Sequence, residues 1–362
     1  MKRKIDYYLL IPIVILSLFG LLMVYSASNV VALNDYNDSY YYFKKQLLFM
    51  IVGYIIMFII IKLNIQKIYR FTPLIFLLCL GLLILVLIPG IGIVRGGARS
   101  WIGVGMFSIQ PSEFMKVGLI LLLSKYLSRY YYEVRNVKNF ILLSIIVIIV
   151  FALIMLQPDF GTGLVIILSC FCFLYISGAN YKLFIIIGIV GLFGIGVLVI
   201  SAPYRLQRIL AFLDPWQDPL GSGFQGIQSL FAITPGGLFG HGFNNSIQKH
   251  FFLPEPQNDF IFAIVVEEFG LIGGGIVILL FFCIIYRALK LSQEVDEMYC
   301  KFLLIGLSLS LAVQVFINIG VVVGLLPVTG ITLPLFSYGG SSLLINFVSF
   351  GLMLHASKYR NI

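Results

Sequence analysis

Ten runs of apolar residues, separated by short polar or Gly- and Pro-rich segments, dominate the sequence. Each run approaches the roughly 20 residues that an α-helix needs to cross a bilayer. Backbone polar groups cannot stay unpaired in lipid, so runs of this length are expected to be helices. We predict an all-α, polytopic membrane protein with about ten transmembrane helices, at residues 7–27, 46–62, 72–89, 110–127, 140–156, 162–178, 183–201, 259–288, 302–326 and 334–355.

The composition excludes a soluble globular domain. Only 11% of the residues are charged and 60% are hydrophobic, whereas a soluble domain has about 25% charged residues. The net charge of +9 does not indicate nucleic-acid binding, because the Lys and Arg residues stand in small groups at the ends of the apolar runs. Groups of this kind are typical of topology determinants.

The basic residues also orient the chain. With the N-terminus inside, most of them fall in inner segments, as the positive-inside rule requires. An even number of spans places both termini in the cytoplasm, and the first apolar run is longer than the core of a signal peptide, which favours a retained span. We therefore predict a multi-pass membrane protein with both termini in the cytoplasm.

Four outer loops hold most of the remaining polar residues: 90–112, 156–162, 202–258 and 326–338. Segment 202–258 is the large extracellular loop between helices 7 and 8, and loops of this length are usually functional or disordered. Its Gly and aromatic content favours an ordered cover. We treat residues 1–362 as one transmembrane domain.

The first polar constellation surrounds the start of the fourth run. A proline begins this helix, so Glu113 and Lys116, three residues apart, share one face of its outermost turn. One interpretation is a buried ion pair that fixes two helices together. The other is a substrate site in which Arg99 and Lys116 attract a phosphate while Trp101 stacks on a sugar.

The second constellation is the Pro and Gly break QPDFGT between two spans, which contains Asp159. Irregular backbone at membrane depth is tolerated only where it lines protein or a watery cavity. Asp159 is therefore expected to face a polar cavity, with a tight turn capped by its carboxylate as the alternative.

Two arginines stand together in the long outer loop. Arg205 and Arg208 are either surface charge facing anionic lipid or a clamp for a pyrophosphate, because the Arg fork matches phosphate oxygens two at a time. The residues alone leave both interpretations open.

The most informative acids lie where the eighth run begins. Glu255 and Asp259 follow prolines in LPEPQNDFIF, so Asp259 is expected at the outer interface, where partial desolvation raises a carboxyl pKa toward that of a general base. An N-terminal helix charge is the alternative. Glu267 and Glu268, more than two helical turns further on, are interpreted as structural.

The last constellation is PVTGITLPLFSYGGSS, which contains Ser337. Its prolines and glycines break the backbone at the top of the tenth run, and its small residues let helices pack closely. Helix packing and lining of the same cavity are both compatible with this pattern.

Four segments in this order, over nearly the whole chain, are similar to motifs of the SEDS family (shape, elongation, division and sporulation), which includes RodA, FtsW and SpoVE. They are RSWIGVG with QPSEFMK, QPDFGT, LPEPQNDFIFAIVVEEFG and PVTGITLPLFSYGGSS. The residues of the first and last motifs are more similar to the division and sporulation branch than to the elongation branch.

The resemblance implies a peptidoglycan glycosyltransferase that polymerises lipid II on the outer membrane face and releases undecaprenyl pyrophosphate, with a class B penicillin-binding protein as its transpeptidase partner. Asp259 matches the family's essential loop aspartate and Trp101 its tryptophan. Three residues match polar cavity positions of the family and are assigned, like Asp259, to catalysis: Glu113, Lys116 and Asp159. The resemblance also implies the bacterial cytoplasmic membrane as the location of the protein.

The chemistry of such a transfer needs a base and several cations. Asp259 would take the proton of the attacking hydroxyl, while the departing pyrophosphate would be met by positive groups, namely Arg99, Lys116, Arg205 and Arg208. Glu255 and Ser337 are assigned to substrate binding. A divalent cation, Mg²⁺ or Mn²⁺, is the one cofactor considered, although the sequence shows no metal-ligand set.

Two other functions compete with this one. A lipid II flippase would also use broken helices and intramembrane charges, but the polar residues concentrate on the outer side and no two matching halves are evident. A non-catalytic scaffold for the penicillin-binding protein would tolerate replacement of every outer acid.

Overall fold

The computed structural model describes residues 5–95, 97–103, 108–200 and 203–360, with the backbone alone at 132, 133, 187, 190, 192, 195, 198, 199 and 203–205. This part contains twelve α-helices and one β-hairpin. The helices are α1 (Tyr7–Tyr36), α2 (Tyr41–Lys62), α3 (Ile65–Leu85), α4 (Pro111–Arg129), α5 (Val137–Met155), α6 (Phe160–Ile176), α7 (Tyr181–Ile200), α8 (Pro203–Leu213), α9 (Phe224–Ile233), α10 (Ile261–Glu294), α11 (Met298–Val322) and α12 (Gly340–Ser357).

Every predicted span coincides with a helix, namely α1 to α7 and α10 to α12. Seven of the described helices are long and apolar enough to cross a membrane: α1, α2, α3, α5, α10, α11 and α12. Helix α6 is apolar but has 17 residues, and α4 includes two acid or base residues in its first two turns and two more near its end. The polytopic helical fold is confirmed, and the number of about ten spans stays a prediction.

A β-hairpin interrupts the otherwise helical chain between α3 and α4. Strand β1 (Gly92–Arg95) pairs antiparallel with β2 (Ala98–Ile102), and Trp101 lies opposite Ile93. Gly97, with φ +83°, supplies the left-handed backbone of the turn. The sequence analysis predicted only an outer loop here, because strands of four and five residues are too short to show a period.

Helices α11 and α12 form the centre of the bundle. Of the residues in their most apolar 18-residue stretches, 67% and 72% are buried, whereas the value for the peripheral helix α3 is 22%. Helix α12 packs along α2, where the rings of Tyr54 and Phe347 lie 4.6 Å apart. The side chains that remain exposed on α2, α3 and α5 are largely Leu, Ile and Phe, which is expected of helices that face lipid.

The two ends of the described chain meet. Asp6, the N-cap of α1, accepts a hydrogen bond of 2.6 Å from Nη2 of Arg287 near the end of α10 and another from Nη1 of Arg360. The Asp6 carboxylate is fully buried under both guanidinium groups. Both ends therefore lie on the same side of the bundle, as an even number of spans requires.

Helix α10 breaks at Gly270, whose φ of +66° and ψ of −167° are not helical. The Gly-rich part of the outer loop packs against this break, and the backbone N–H of Leu271 donates to the carbonyl of Gly237 at 2.9 Å. A Cβ at Gly240, where φ is +73°, would lie 2.3 Å from the Glu268 carbonyl carbon. Glycine is required because the two backbones touch.

Glu267 and Glu268 of α10 bind the same loop through buried contacts. Both are fully buried. Glu267 accepts a hydrogen bond of 2.5 Å from the Ser246 hydroxyl, while Glu268 accepts one of 2.5 Å from Ser26 of α1 and lies 3.5 Å from Nζ of Lys249. These contacts bear out the structural interpretation of both acids, and they make this part of loop 202–258 an ordered cover.

Candidate active site

A cavity of about 710 Å³ opens where the helix ends on the side opposite Asp6 and Arg360 converge. Its walls come from the α1–α2 connection, the hairpin, the first turns of α4 and α6, helix α8, the segment before α10 and the segment between α11 and α12. Seven of the ten predicted site residues line it: Trp101, Glu113, Lys116, Asp159, Arg208, Glu255 and Asp259. Segments far apart in the sequence are thus brought to one site.

Asp259 is held by its backbone on a short loop beneath the cavity. The Asp259 carbonyl accepts a hydrogen bond of 2.8 Å from Nδ2 of Asn318 on α11. Two residues earlier, the carbonyl of Gln257 accepts one of 2.8 Å from the Tyr338 N–H. The side chain is half-buried and does not cap α10, whose N-cap is Phe260 without a side-chain cap bond. The carboxylate is therefore available to the cavity.

The surroundings of Asp259 adjust its acidity. Burial raises the pKa of the Asp259 carboxyl to about 6, the Glu255 carboxylate adds to this rise, and the Arg208 guanidinium opposes it. A carboxylate with a pKa just below neutrality is ionised at pH 7 yet more basic than an ordinary aspartate. Such a pKa is suited to general-base catalysis.

Glu113 and Lys116 form a buried ion pair on the first turns of α4, with Nζ and Oε2 2.8 Å apart. Lys116 also donates to Oε1 of Gln314 on α11 at 2.7 Å, and Gln314 in turn donates to the Thr332 carbonyl at 2.9 Å. The pair joins two helices and also lines the cavity. These contacts are those that the ion-pair interpretation expects, whereas the phosphate-binding interpretation stays a prediction.

Asp159 caps α6 and lines the cavity at the same time. Its Oδ1 accepts from the Thr162 N–H at 3.2 Å, while Oδ2 accepts from Nε2 of Gln110 at 2.8 Å and from the Ser112 hydroxyl at 3.1 Å. With both oxygens engaged, this carboxylate fixes the start of α4 against the start of α6. We interpret it as a positioning residue.

Two predicted residues, Arg99 and Ser337, do not line the cavity, and the side-chain position of a third is not described. Arg99 lies on β2, and its side chain packs across the hairpin against Gly92. Ser337 is buried next to the cavity, and its hydroxyl accepts from the Leu333 N–H at 2.7 Å, so it supports the lining segment rather than substrate. The side chain of Arg205 lies outside the described part of the structure.

Sequence reasoning missed two cavity cations, Lys45 and Arg95. The Arg95 guanidinium lies 4.9 Å from the centre of the Trp101 ring, and only the hairpin places these two side chains together. Lys45 carried a signal: it stands with Lys44 at the outer end of a span, against the positive-inside rule. Basic residues that break this rule deserve a functional hypothesis.

The described residues contain no group of three His, Cys, Asp or Glu side chains that could hold a metal. Of the cavity acids, Glu113 is held in an ion pair and both oxygens of Asp159 accept hydrogen bonds. Glu255 accepts one hydrogen bond, of 2.6 Å from Nδ2 of Asn258, so Glu255 and Asp259 are the acids with capacity for a further ligand. Magnesium often binds one or two carboxylates together with substrate phosphates. The cavity therefore fits a divalent cation only when a substrate supplies the remaining oxygens.

Comparisons with known proteins agree with this arrangement. The FtsW/RodA/SpoVE family model, described as cell cycle protein, matches residues 7–362. The chain is 48% identical over 359 residues to stage V sporulation protein E of Bacillus subtilis (strain 168), which covers 99% of this chain and 98% of the relative. It is 39% identical over 347 residues to a probable peptidoglycan glycosyltransferase FtsW of Saccharophagus degradans, covering 95% and 90%.

A solved structure gives the same answer at the level of the fold. It is described as "Structural coordination of polymerization and crosslinking by a peptidoglycan synthase complex", and one of its chains superposes with a TM-score of 0.78 at 30% identity, over 99% of this chain and 98% of that one. The family resemblance found in the sequence motifs is thereby confirmed. The chain belongs to the FtsW/RodA/SpoVE family of cell cycle proteins.

Proposed function

We propose that this protein is a peptidoglycan glycosyltransferase that polymerises lipid II into glycan strands. The observation that carries the proposal is Asp259, whose pKa burial raises to about 6 in a cavity that also contains cations and aromatic rings. The names of the FtsW relatives and the description of the peptidoglycan synthase complex support it.

In this reaction the Asp259 carboxylate accepts the proton of an acceptor sugar hydroxyl. The hydroxyl oxygen then bonds to the anomeric carbon of the donor, and the bond between that carbon and the diphosphate oxygen breaks. The electron pair leaves with the lipid diphosphate, undecaprenyl pyrophosphate. We expect a transition state with oxocarbenium character, as in glycoside hydrolysis, and attack opposite the leaving group with inversion at the carbon.

Three neighbouring residues support Asp259 in different ways. Arg208 balances the charge of the ionised Asp259, while Glu255 keeps its basicity high. Asn318 holds the Asp259 backbone and also donates to the Ile331 carbonyl at 2.7 Å, which joins the loop to the segment before α12. Positioned groups of this kind lower the barrier because they need not reorganise during the reaction.

The proposal also includes the orientation of the chain in the membrane and its transpeptidase partner. With both chain ends on the cytoplasmic side, the cavity opens at the outer face, where lipid II is available after translocation. A class B penicillin-binding protein would cross-link the strands, and its membrane helix would dock on lipid-facing helices and on loop 202–258. Charge substitutions on those surfaces should then weaken the complex in co-purification.

A divalent cation enters this proposal only together with substrate. Glu255 would supply a protein oxygen and the lipid diphosphate the others, as is common for Mg²⁺, while Asp259 stays available as the base. Such an ion would add positive charge where the leaving diphosphate becomes more negative. Chelation should then weaken diphosphate binding as well as polymerisation.

Gel analysis of glycan made from purified lipid II tests the proposal. The chain is co-purified with its transpeptidase partner, and wild type is compared with Asp259→Ala and with Asp214→Ala, an exposed acid in the same outer loop. We expect polymer from wild type and Asp214→Ala only. Polymer from none of the three, with lipid II transport across vesicles intact, would favour the flippase; polymer from all three would remove Asp259 from the chemistry.

A further inference from the structure

One wall of the cavity is built from tyrosines. Tyr36 and Tyr41 stack with ring centres 3.7 Å apart, and Tyr42 meets Tyr338 edge to face at 4.8 Å. Tyr42 also contacts both stacked rings, at 5.9 Å and 5.3 Å. The four rings, which we call the tyrosine wall, line the cavity as one continuous aromatic surface.

Two cations stand at this wall. Nζ of Lys45 lies 2.5 Å from the Tyr41 hydroxyl and 3.9 Å from the centre of its ring. Arg95, above Trp101, neighbours the other end: burial raises the pKa of Tyr338 to about 12, and the Arg95 charge opposes that rise. Tyr338 is thus a neutral hydroxyl beside a guanidinium at physiological pH.

The remaining cavity cations are committed elsewhere. Lys116 is paired with Glu113 at 2.8 Å and bonded to Gln314 at 2.7 Å. Arg208 acts on the Asp259 carboxyl, whose pKa it lowers against the effect of burial. Within the described part of the chain, Lys45 forms no ion pair with an acid and contacts the Tyr41 hydroxyl instead, so an anionic group that enters the cavity is drawn toward the tyrosine wall.

The composition of this wall matches one kind of ligand. Aromatic faces stack on the apolar faces of sugar rings, phenolic hydroxyls donate to sugar or phosphate oxygens, and Lys and Arg bind phosphate through charge-assisted hydrogen bonds. A diphosphate-linked sugar presents all of these features next to each other. A lipid chain would need neither the cations nor the hydroxyls.

We propose that the tyrosine wall, with Lys45 and Arg95, is the subsite for the diphosphate-linked sugar of the donor. The assignment rests on the proposed function. The Tyr338 N–H donates to the carbonyl of Gln257, two residues before Asp259, so the wall begins beside the loop of the base. A donor held there lies next to an acceptor hydroxyl at Asp259.

Adjacent residues supply matched controls. Lys44, next to Lys45, has a side chain that is 66% exposed and paired with Asp38 at 2.8 Å. Tyr40, next to Tyr41, stacks on Tyr25 at 4.9 Å, outside the residues that line the cavity. The informative pairs are therefore Lys45→Met against Lys44→Met and Tyr41→Leu against Tyr40→Leu.

Binding is measured in full-length Asp259→Asn protein co-purified with its partner, where no chemistry consumes the probe. The probe is a fluorescent, short-prenyl analogue of lipid II, with inorganic pyrophosphate as competitor. We expect Lys45→Met and Arg95→Met to raise Kd about tenfold to a hundredfold, the usual value of a hydrogen bond to a charged group. Tyr41→Leu should raise it several-fold, and the two control variants less than twofold.

Pyrophosphate should displace the probe from the background protein but only weakly from its Lys45→Met derivative. Equal effects of Lys45→Met and Lys44→Met on probe binding would overturn the subsite. Displacement of the probe by pyrophosphate that is the same with and without Lys45→Met would also overturn it. A change with Tyr41→Leu alone would show a sugar site without a diphosphate. Absence of polymer from wild type would refute the proposed glycosyltransferase activity. The binding constants of the variants would still test the subsite independently of that activity.

Discussion

Replacing Asp259 with Asn should stabilise the protein while abolishing polymerisation. Burial raises the pKa of this carboxyl from its ordinary 3.8 to about 6, so the folded state disfavours the ionised form. At roughly 1.4 kcal/mol per pH unit, the difference corresponds to about 3 kcal/mol of stability that ionisation removes. An amide has no charge and does not incur this cost.

The sign of the pH dependence follows from the same values. Because the folded pKa lies above the unfolded one, wild type loses stability as the pH rises from about 4 to 6 and stays at the lower level above that. The advantage of Asp259→Asn should therefore be complete at pH 7.5 and absent at pH 4. Partial exposure of the side chain makes about 3 kcal/mol an upper value.

Thermal inactivation in detergent, followed by fluorescence-detected size exclusion, measures this difference. Asp35→Asn, an exposed acid at the end of α1, serves as the charge control and should behave as wild type. An Asp259→Asn variant that is less stable than wild type at pH 7.5, or equally more stable at both pH values, would refute the desolvation argument.

Three further outcomes follow from the structure. Lys116→Met should cost about 3–5 kcal/mol, because it leaves the buried Glu113 without its partner, and double replacement with Glu113→Gln should recover part of the thermostability. Lys249→Met should expose loop 202–258 to protease, since its Nζ holds the Asn244 carbonyl at 2.7 Å and faces Glu268, whereas Lys44→Met should not. Asn318→Leu should lower kcat more than it raises KM, because it frees the Asp259 backbone without removing a substrate contact; an unchanged kcat would contradict its positioning role.

The helices were the part of this fold that the sequence predicts best. Apolar runs of bilayer length give their existence directly, but their ends differ: α1 continues to Tyr36 and α10 to Glu294, since polar residues extend a helix once its apolar part is anchored. The hairpin escaped prediction because its strands are short. The break at Gly270 was also invisible, because its backbone partners lie thirty residues earlier in the chain.

The sequence predicted the acids of the candidate site but not several of its cations and aromatic rings. Asp259, Glu113 and Asp159 stand out because acids are rare in an apolar chain. The tyrosines resembled the aromatic residues of an ordinary interfacial belt, and only the fold places them, with Lys45, beside the Asp259 loop. Asn318 gave no signal, since an amide inside a helix is informative only when its partners are known.

The rate of glycan polymerisation as a function of pH tests the central claim most directly. For wild type, kcat/KM should fall as the pH decreases, reaching half its plateau near pH 6, because protonation removes the Asp259 base whose pKa is about 6. Glu255→Gln should move this midpoint to lower pH, since it removes a charge that raises the pKa. A rate that is unchanged from pH 8 to 5, or measurable polymer from Asp259→Asn, would contradict the assignment of Asp259 as the base.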